Sequence, residues 1–149
     1  FYRTDSIDVR KFRPSSSNVD LVNINAEIAY KMTNRLDIIC KGDYYNYDIS
    51  EAWHMPEFKL GLVSRYDIKD KIKIDGIVDY WGNSKNKNAS GEIEEVDGFI
   101  DANFHLEYKY REQVYFKIML NNLLGKTYNR WANYPLLGFN AMVGVQFSF

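Results

Sequence analysis

Apolar and polar residues alternate with a period of two in seven successive stretches of this 149-residue chain. That period marks a β-strand with one apolar and one wetted face. Residues 20–32 set Val22, Ile24, Ala26, Ile28, Tyr30 and Met32 against Asn23, Asn25, Glu27 and Lys31. Residues 96–110 give the clearest case, with Ile100, Ala102, Phe104, Leu106, Tyr108 and Tyr110 opposing Asp101, Asn103, His105, Glu107 and Lys109. The same pattern runs through 35–48, 57–68, 71–82 and 113–123. It recurs to the last residue, where Phe139, Ala141, Val143, Val145, Phe147 and Phe149 share one side. Helical spacing is hard to find anywhere. The chain therefore reads as all-β, an antiparallel up-and-down meander of about seven or eight strands, with 1–19 as an irregular piece or external loop.

The connections alternate as strictly as the strands. Short polar turns fall at 33–34, 69–70 and 111–112, and between them lie long segments at 50–56, 83–95 and 125–138. In a meander every second connection lies at the same end, so one rim is trimmed and the other elaborate. Transmembrane β-barrels have that asymmetry. A soluble barrel or sandwich also alternates, its apolar face turned to a core. Two further features favour lipid. Tyr30, Tyr66, Tyr108, Tyr110 and Phe149 fall at the short-turn end of the apolar face, and Tyr44, Phe58, Tyr80 and Phe139 at the other, with smaller aliphatics between them. Paired aromatic girdles suit a bilayer, where amphipathic rings prefer the headgroup level. The polar face is also rich in charge, as the wall of a watery lumen would be.

Composition removes several function classes. The net charge is −1, giving no electrostatic case for nucleic acid. The single cysteine, Cys40, permits neither an intrachain disulfide nor a cysteine zinc cluster. No apolar run reaches the roughly 18 to 20 residues of a membrane-spanning helix. With only His54 and His105, and most serines gathered at 15–17, a serine hydrolase triad has no obvious basis. Trp53-His54-Met55 offers too few ligands for a soft metal, and the acidic run at 92–97 lacks the spacing of a calcium loop. No enzyme activity, metal or cofactor is expected.

What remains is surface for binding. Tyr128, Arg130, Trp131 and Tyr134 in the last long loop combine stacking rings with donors, a composition suited to a glycan or siderophore. The alternative is aromatic packing that orders the loop. Trp53 and His54 offer a second loop contact. On the polar face, Lys59, Arg65, Lys73, Asp75, Asp101, His105 and Glu107 would line the lumen, with His105 a hydrogen-bonding residue there.

Residues 120–149, "LNNLLGKTYNRWANYPLLGFNAMVGVQFSF", resemble the C-terminal end of TonB-dependent outer-membrane receptors of the Bacteroidetes type. Asn122-Leu123-Leu124, Tyr128, Trp131, Tyr134-Pro135, Gly138 and Phe149 carry the likeness, and 53–72 resembles a strand–turn–strand unit of the same family. The resemblance implies that the chain is a β-barrel segment of a larger receptor in the outer membrane of a Gram-negative bacterium. That receptor would take up a siderophore, cobalamin or glycan. Its partners would be outer-membrane lipid, the barrel assembly machinery reading Val145, Phe147 and Phe149, and TonB through a plug region not found here. The other readings are a small complete outer-membrane barrel with a structural or adhesin role, and a soluble ligand-binding barrel.

Overall fold

A computed structural model of the chain describes residues 2–4, 12–14, 18–49, 52–88, 90–131 and 134–149. Near the start, β1 (Tyr2–Thr4) pairs with β2 (Phe12–Pro14) as a separate two-stranded ribbon. Neither joins the main sheet, and the rest of the irregular segment expected before residue 18 lies outside the described residues. The main elements are β3 (Leu21–Thr33), β4 (Leu36–Tyr47), β5 (Phe58–Ile68) and β6 (Ile72–Trp81). A ribbon of β7 (Ser84–Lys87) and β8 (Ile93–Val96) interrupts them, and β9 (Phe99–Arg111) and β10 (Val114–Asn121) follow. The short β11 (Asn129–Trp131) and β12 (Tyr134–Pro135) precede the closing β13 (Asn140–Phe147).

Seven of these strands form one antiparallel sheet in the order β13-β10-β9-β6-β5-β4-β3. Every neighbour in the sheet is the neighbour in the meander, as the alternating short and long connections require. The short turns are set by local chemistry. Lys69 and Asp70 both sit at positive φ, 54° and 57°, and the Lys71 amide donates to the Ile68 carbonyl at 3.1 Å. This is the turn whose twist matches a two-residue hairpin. Lysine is a poor residue for that region, and the Asp67 carboxylate compensates by accepting from the Asp70 amide at 2.8 Å. At 34–35 the Thr33 hydroxyl accepts from the Arg35 and Leu36 amides.

Register turns the period of two into a continuous face. Ile28 pairs with Cys40, Cys40 with Leu62, Leu62 with Val78 and Val78 with Ala102. Two same-face positions nearer the short turns, Tyr66 pairs with Ile74, Ile74 with Leu106, Leu106 with Ile118 and Ile118 with Val143. Nothing among the described residues covers this face: Ile28 is 69% exposed and Val143 78%. Exposed apolar patches beyond a few hundred Å² are rare on proteins surrounded by water. The belt is rimmed as expected. Tyr44, Phe58 and Tyr80 stand at the long-loop end, with the Phe58 and Tyr80 rings 6.3 Å apart. Tyr66, Tyr108 and Phe116 stand at the other end, beside Tyr110 at 6.1 Å from Phe116. Phe58 and Tyr66 are eight residues apart, about 27 Å along a strand.

The opposite face is polar but layered, which alternation did not foretell. Ala29, Ile39, Val63 and Ile77 form an apolar row across β3 to β6, by direct pairing. Towards the short turns lies a lattice of alternating charge. Arg65 sits between Asp37 and Asp75, Lys73 between Asp67 and Glu107, and Glu107 between Lys73 and Lys117. Lys117 reaches Glu107 at 3.1 Å, and Lys41 reaches Glu27 at 2.8 Å. Opposite charges facing across a ladder favour this register over a slipped one.

Several strands differ from their sequence-based limits: β10 ends at Asn121, and β13 runs only from Asn140 to Phe147, leaving Phe139 and Phe149 outside it. Val96 belongs to the β7–β8 ribbon, paired with Ser84, and the wall strand begins at Phe99. The break falls at Gly98, where a Cβ would lie 2.5 Å from the Trp81 carbonyl oxygen. Only glycine lets the chain pass that close.

The two faces make opposite demands on a charge. Replacing Leu106, which stands in the belt, with arginine is expected to destabilise the protein in vesicles by about 2–4 kcal/mol. His105→Arg, one residue away and facing Asp75, is expected to change it by less than about 1 kcal/mol. Urea unfolding in lipid vesicles measures both, and equal effects would show that the belt does not face lipid.

Candidate functional site

On the polar face, at the end carrying the long connections, β4, β5, β6 and β9 finish in a group of rings and cations. Register places Lys59 opposite both Asp43 and Trp81, and Trp81 opposite Phe99. The Trp81 and Phe99 rings stack at 6.0 Å and 7°. The loop between β10 and β13 folds over them, so that Tyr128 stacks on Phe99 at 4.2 Å and 4°. The same loop sets the Arg130 guanidinium 4.4 Å from the Trp81 ring centre, while the Lys59 ammonium stands 4.4 Å from that ring and 5.1 Å from Tyr45. Tyr45 stacks in turn on Tyr47 at 6.2 Å.

Each cation over the indole contributes about 0.5–2 kcal/mol by attraction to the ring quadrupole. Against this, Lys59 and Arg130 repel one another. Asp43 attracts Lys59, yet among the described residues neither cation has a carboxylate within ion-pair distance. Carboxylates lie one step towards the short turns, where Asp79 and Asp101 are direct cross-strand partners. The Asp101 carboxylate lies near the Tyr128 phenol, and burial together with that carboxylate raises the phenol above its usual range. The group thus offers flat rings for stacking, two cations for ligand oxygens, and carboxylate acceptors beneath. Phe99 and Tyr128 also wall a cleft of about 540 Å³ between the loops, with Glu94, Asp97 and Lys126 on its sides.

Sequence reading singled out Lys59, Asp101, Tyr128 and Arg130, and the structure brings these four together. It missed Trp81, Phe99, Tyr45 and Tyr47. The available signal was an aromatic residue on the polar parity of a strand, at its long-loop end. Trp131 and Tyr134 pair with each other across β11 and β12, and Arg130 lies 6.0 Å from the Trp131 ring. Arg65, Lys73, Asp75, His105 and Glu107 all lie on the polar face, in the charge lattice rather than the ring group. Val145 and Phe147 stand on the apolar face opposite Phe116 and Val114.

Trp53 and His54 sit inside the loop between β4 and β5, 3% and 8% exposed. Trp53 forms a bridge with Lys85, and the His54 amide donates to the Lys85 carbonyl at 2.7 Å. The Asn86 side chain, 0% exposed, lies beside the His54 ring. Together they make a small core joining this loop to the β7–β8 ribbon. Burial lowers the His54 pKa, and the neighbouring Asn86 amide opposes that only in part.

A histidine whose folded pKa lies below its unfolded value of about 6.5 keeps its full stabilisation above that pH. The loop is accordingly expected to lose protection as pH falls below about 6.5, because the unfolded chain then binds the extra proton. Hydrogen exchange at the His54 amide measures this, and His54→Gln is expected to abolish the pH dependence.

No protein-family model matches the chain, and no curated protein matches it. Solved structures do. One is the ferripyoverdine receptor of the outer membrane of Pseudomonas aeruginosa bound to ferripyoverdine, with a TM-score of 0.73 at 16% identity, covering 88% of this chain and 20% of that one. The ferric-catecholate import receptor Fiu from E. coli K12, in its open form, matches with a TM-score of 0.74 at 18% identity, over 87% of this chain and 21% of that one. The siderophore receptor PirA from Acinetobacter baumannii matches with a TM-score of 0.71 at 14% identity, over 84% and 21%. At these identities the likeness is one of fold. The chain has the fold of an outer-membrane receptor β-barrel wall and spans about a fifth of the length of those receptors.

Proposed function

We propose that the chain supplies wall, polar lining and external loops of a TonB-dependent outer-membrane receptor, and that its cargo is an oxygen-rich, ring-bearing iron chelate. The observation that carries this reading is the ring and cation group of Tyr45, Lys59, Trp81, Phe99, Tyr128 and Arg130, set on the polar face beneath the long loops. A chelate presents flat groups and anionic oxygens together, and this group answers both. Cobalamin and neutral glycans would use the rings but leave the two cations without partners.

The apolar belt faces lipid in this reading, and the polar face encloses the passage. The charge lattice of Arg65, Lys73, Asp75, His105 and Glu107 meets the occluding plug through which TonB would act. Tyr128, Arg130, Trp131 and Tyr134 contact cargo, while Trp53 and His54 contribute by ordering their loop. Val145, Phe147 and Phe149 present the closing strand to the assembly machinery. Backbone groups on the free edges of β3 and β13 would be satisfied by further strands, because an unpaired group in hydrocarbon costs several kcal/mol. The protein binds and passes its ligand without chemical change.

Calorimetric titration of the detergent-extracted protein with ferric catecholates, ferric hydroxamates, cobalamin and oligosaccharides tests the reading. Binding is expected for an anionic chelate. Lys59→Gln and Arg130→Gln are each expected to weaken it by about 1–2 kcal/mol, roughly 5- to 30-fold. Binding of neutral oligosaccharide alone, unaffected by either change, would replace iron uptake with glycan uptake.

A further inference from the structure

Among the described residues, one side chain at the base of the loop that carries Tyr128 and Arg130 stands apart. Asn122 follows the last residue of β10 and is 3% exposed. Its backbone occupies the left-handed region at φ 50°, which asparagine tolerates better than most residues. Its side-chain nitrogen donates to the Lys126 carbonyl at 2.8 Å and to the Leu137 carbonyl at 3.2 Å. Those two carbonyls belong to the outgoing and returning limbs of the loop. One amide group therefore ties both limbs at their base.

The same residue is tied to the wall. Its backbone amide donates to the Asn103 side-chain oxygen at 3.1 Å, and the Asn103 side-chain nitrogen donates to Asp101 at 3.2 Å. Asp101 in turn lies near the Tyr128 phenol. The Leu123 amide adds a bond to the Ala102 carbonyl at 2.8 Å, and the Leu136 amide reaches the Tyr128 carbonyl at 2.9 Å. The hydrogen bonds thus run from Asn122 through Asn103 to Asp101 on the wall side, and from Asn122 to both limbs on the loop side. Asn122 and Tyr128 each touch both limbs and the wall, Asn122 at the base of the loop and Tyr128 farther out.

We infer that Asn122 is a positioning residue for the ligand group, holding Arg130 over Trp81 and Tyr128 over Phe99 without itself meeting ligand. The inference rests on the proposed binding role of that group. Two hydrogen bonds that join the limbs are lost with this one side chain, leaving the Leu136–Tyr128 backbone bond to tie them farther out.

The test reads the charge around Trp81 and needs no nutrient. Iodide, an anionic quencher, is drawn to cations beside an indole, whereas acrylamide is neutral. Their quenching ratio at Trp81 is obtained in the detergent-extracted protein by difference from Trp81→Phe. Asn122→Gly keeps the left-handed backbone accessible but removes the tie, and Asn122→Asp replaces the donor with a carboxylate of the same shape. Each is expected to lower the ratio about twofold, to the value given by Arg130→Gln. Combined with Arg130→Gln, each is expected to lower it no further, because both changes act through the same cation.

A ratio unchanged in Asn122→Gly and Asn122→Asp, or effects that add to Arg130→Gln, would overturn the inference. So would failure of both variants to reach the heat-modifiable folded form, which would assign Asn122 to the wall rather than the loop. A protein that binds no iron chelate but shows the expected ratios would lose the transport reading and keep this one.

Discussion

The structure depends on backbone pairing that keeps its parity through the body of the sheet. Six antiparallel ladders join the seven strands, and across all of them an apolar side chain meets an apolar neighbour on one face. A slip of one residue in any ladder would throw charges such as Arg65 or Glu107 into the belt and Leu62 or Leu106 into the lining. The ladders guard against this twice. Opposed charges lock the polar face, and tight turns at 34–35 and 69–71 leave no slack at the trimmed rim. The irregularities sit near the rims, at Val114 and beyond Lys31, where a shift in register disturbs no more than the last pair.

The elaborate rim follows different rules. Its three long connections are not free excursions, because each is pinned by buried asparagine or by a short ribbon. Asn86 and His54 join the first loop to the second, and Asn122 gathers the limbs of the third. Asparagine suits this work: its amide both donates and accepts, and the residue tolerates positive φ where a strand turns into a loop. A rim so tied can hold rings and cations at fixed distances above a wall that is otherwise a plain ladder. Stacking from Trp81 through Phe99 to Tyr128 carries that order from strand into loop.

Within the group, Lys59 and Arg130 share one indole although they repel each other. In the proposed reading, such a site gains most from a ligand bringing negative oxygen between the two cations. The neighbouring carboxylates limit how far that attraction reaches, since Asp79 and Asp101 lie one step away on the same face. The balance favours a ligand with both flat and charged parts over a simple anion.

Much of this was legible in the residues alone. Alternation in 20–32 and 96–110, the short turns and the two bands of tyrosine and phenylalanine determined an all-β wall with one apolar face, because a period of two has a single structural meaning when it repeats seven times. Those signals are local: a side chain's face follows from its position along its own strand. What alternation could not assign was partnership between strands and loops. Trp81, Phe99 and Tyr45 were hidden as ordinary ring residues until register set them side by side. Trp53 and His54 read as exposed loop groups until the β7–β8 ribbon closed over them, and Val96 read as wall until Gly98 broke the strand. The sequence by itself determined the wall and its two faces. The tertiary structure alone decided the site, since ring stacking and loop ties join residues whose separation along the chain carries no periodic trace.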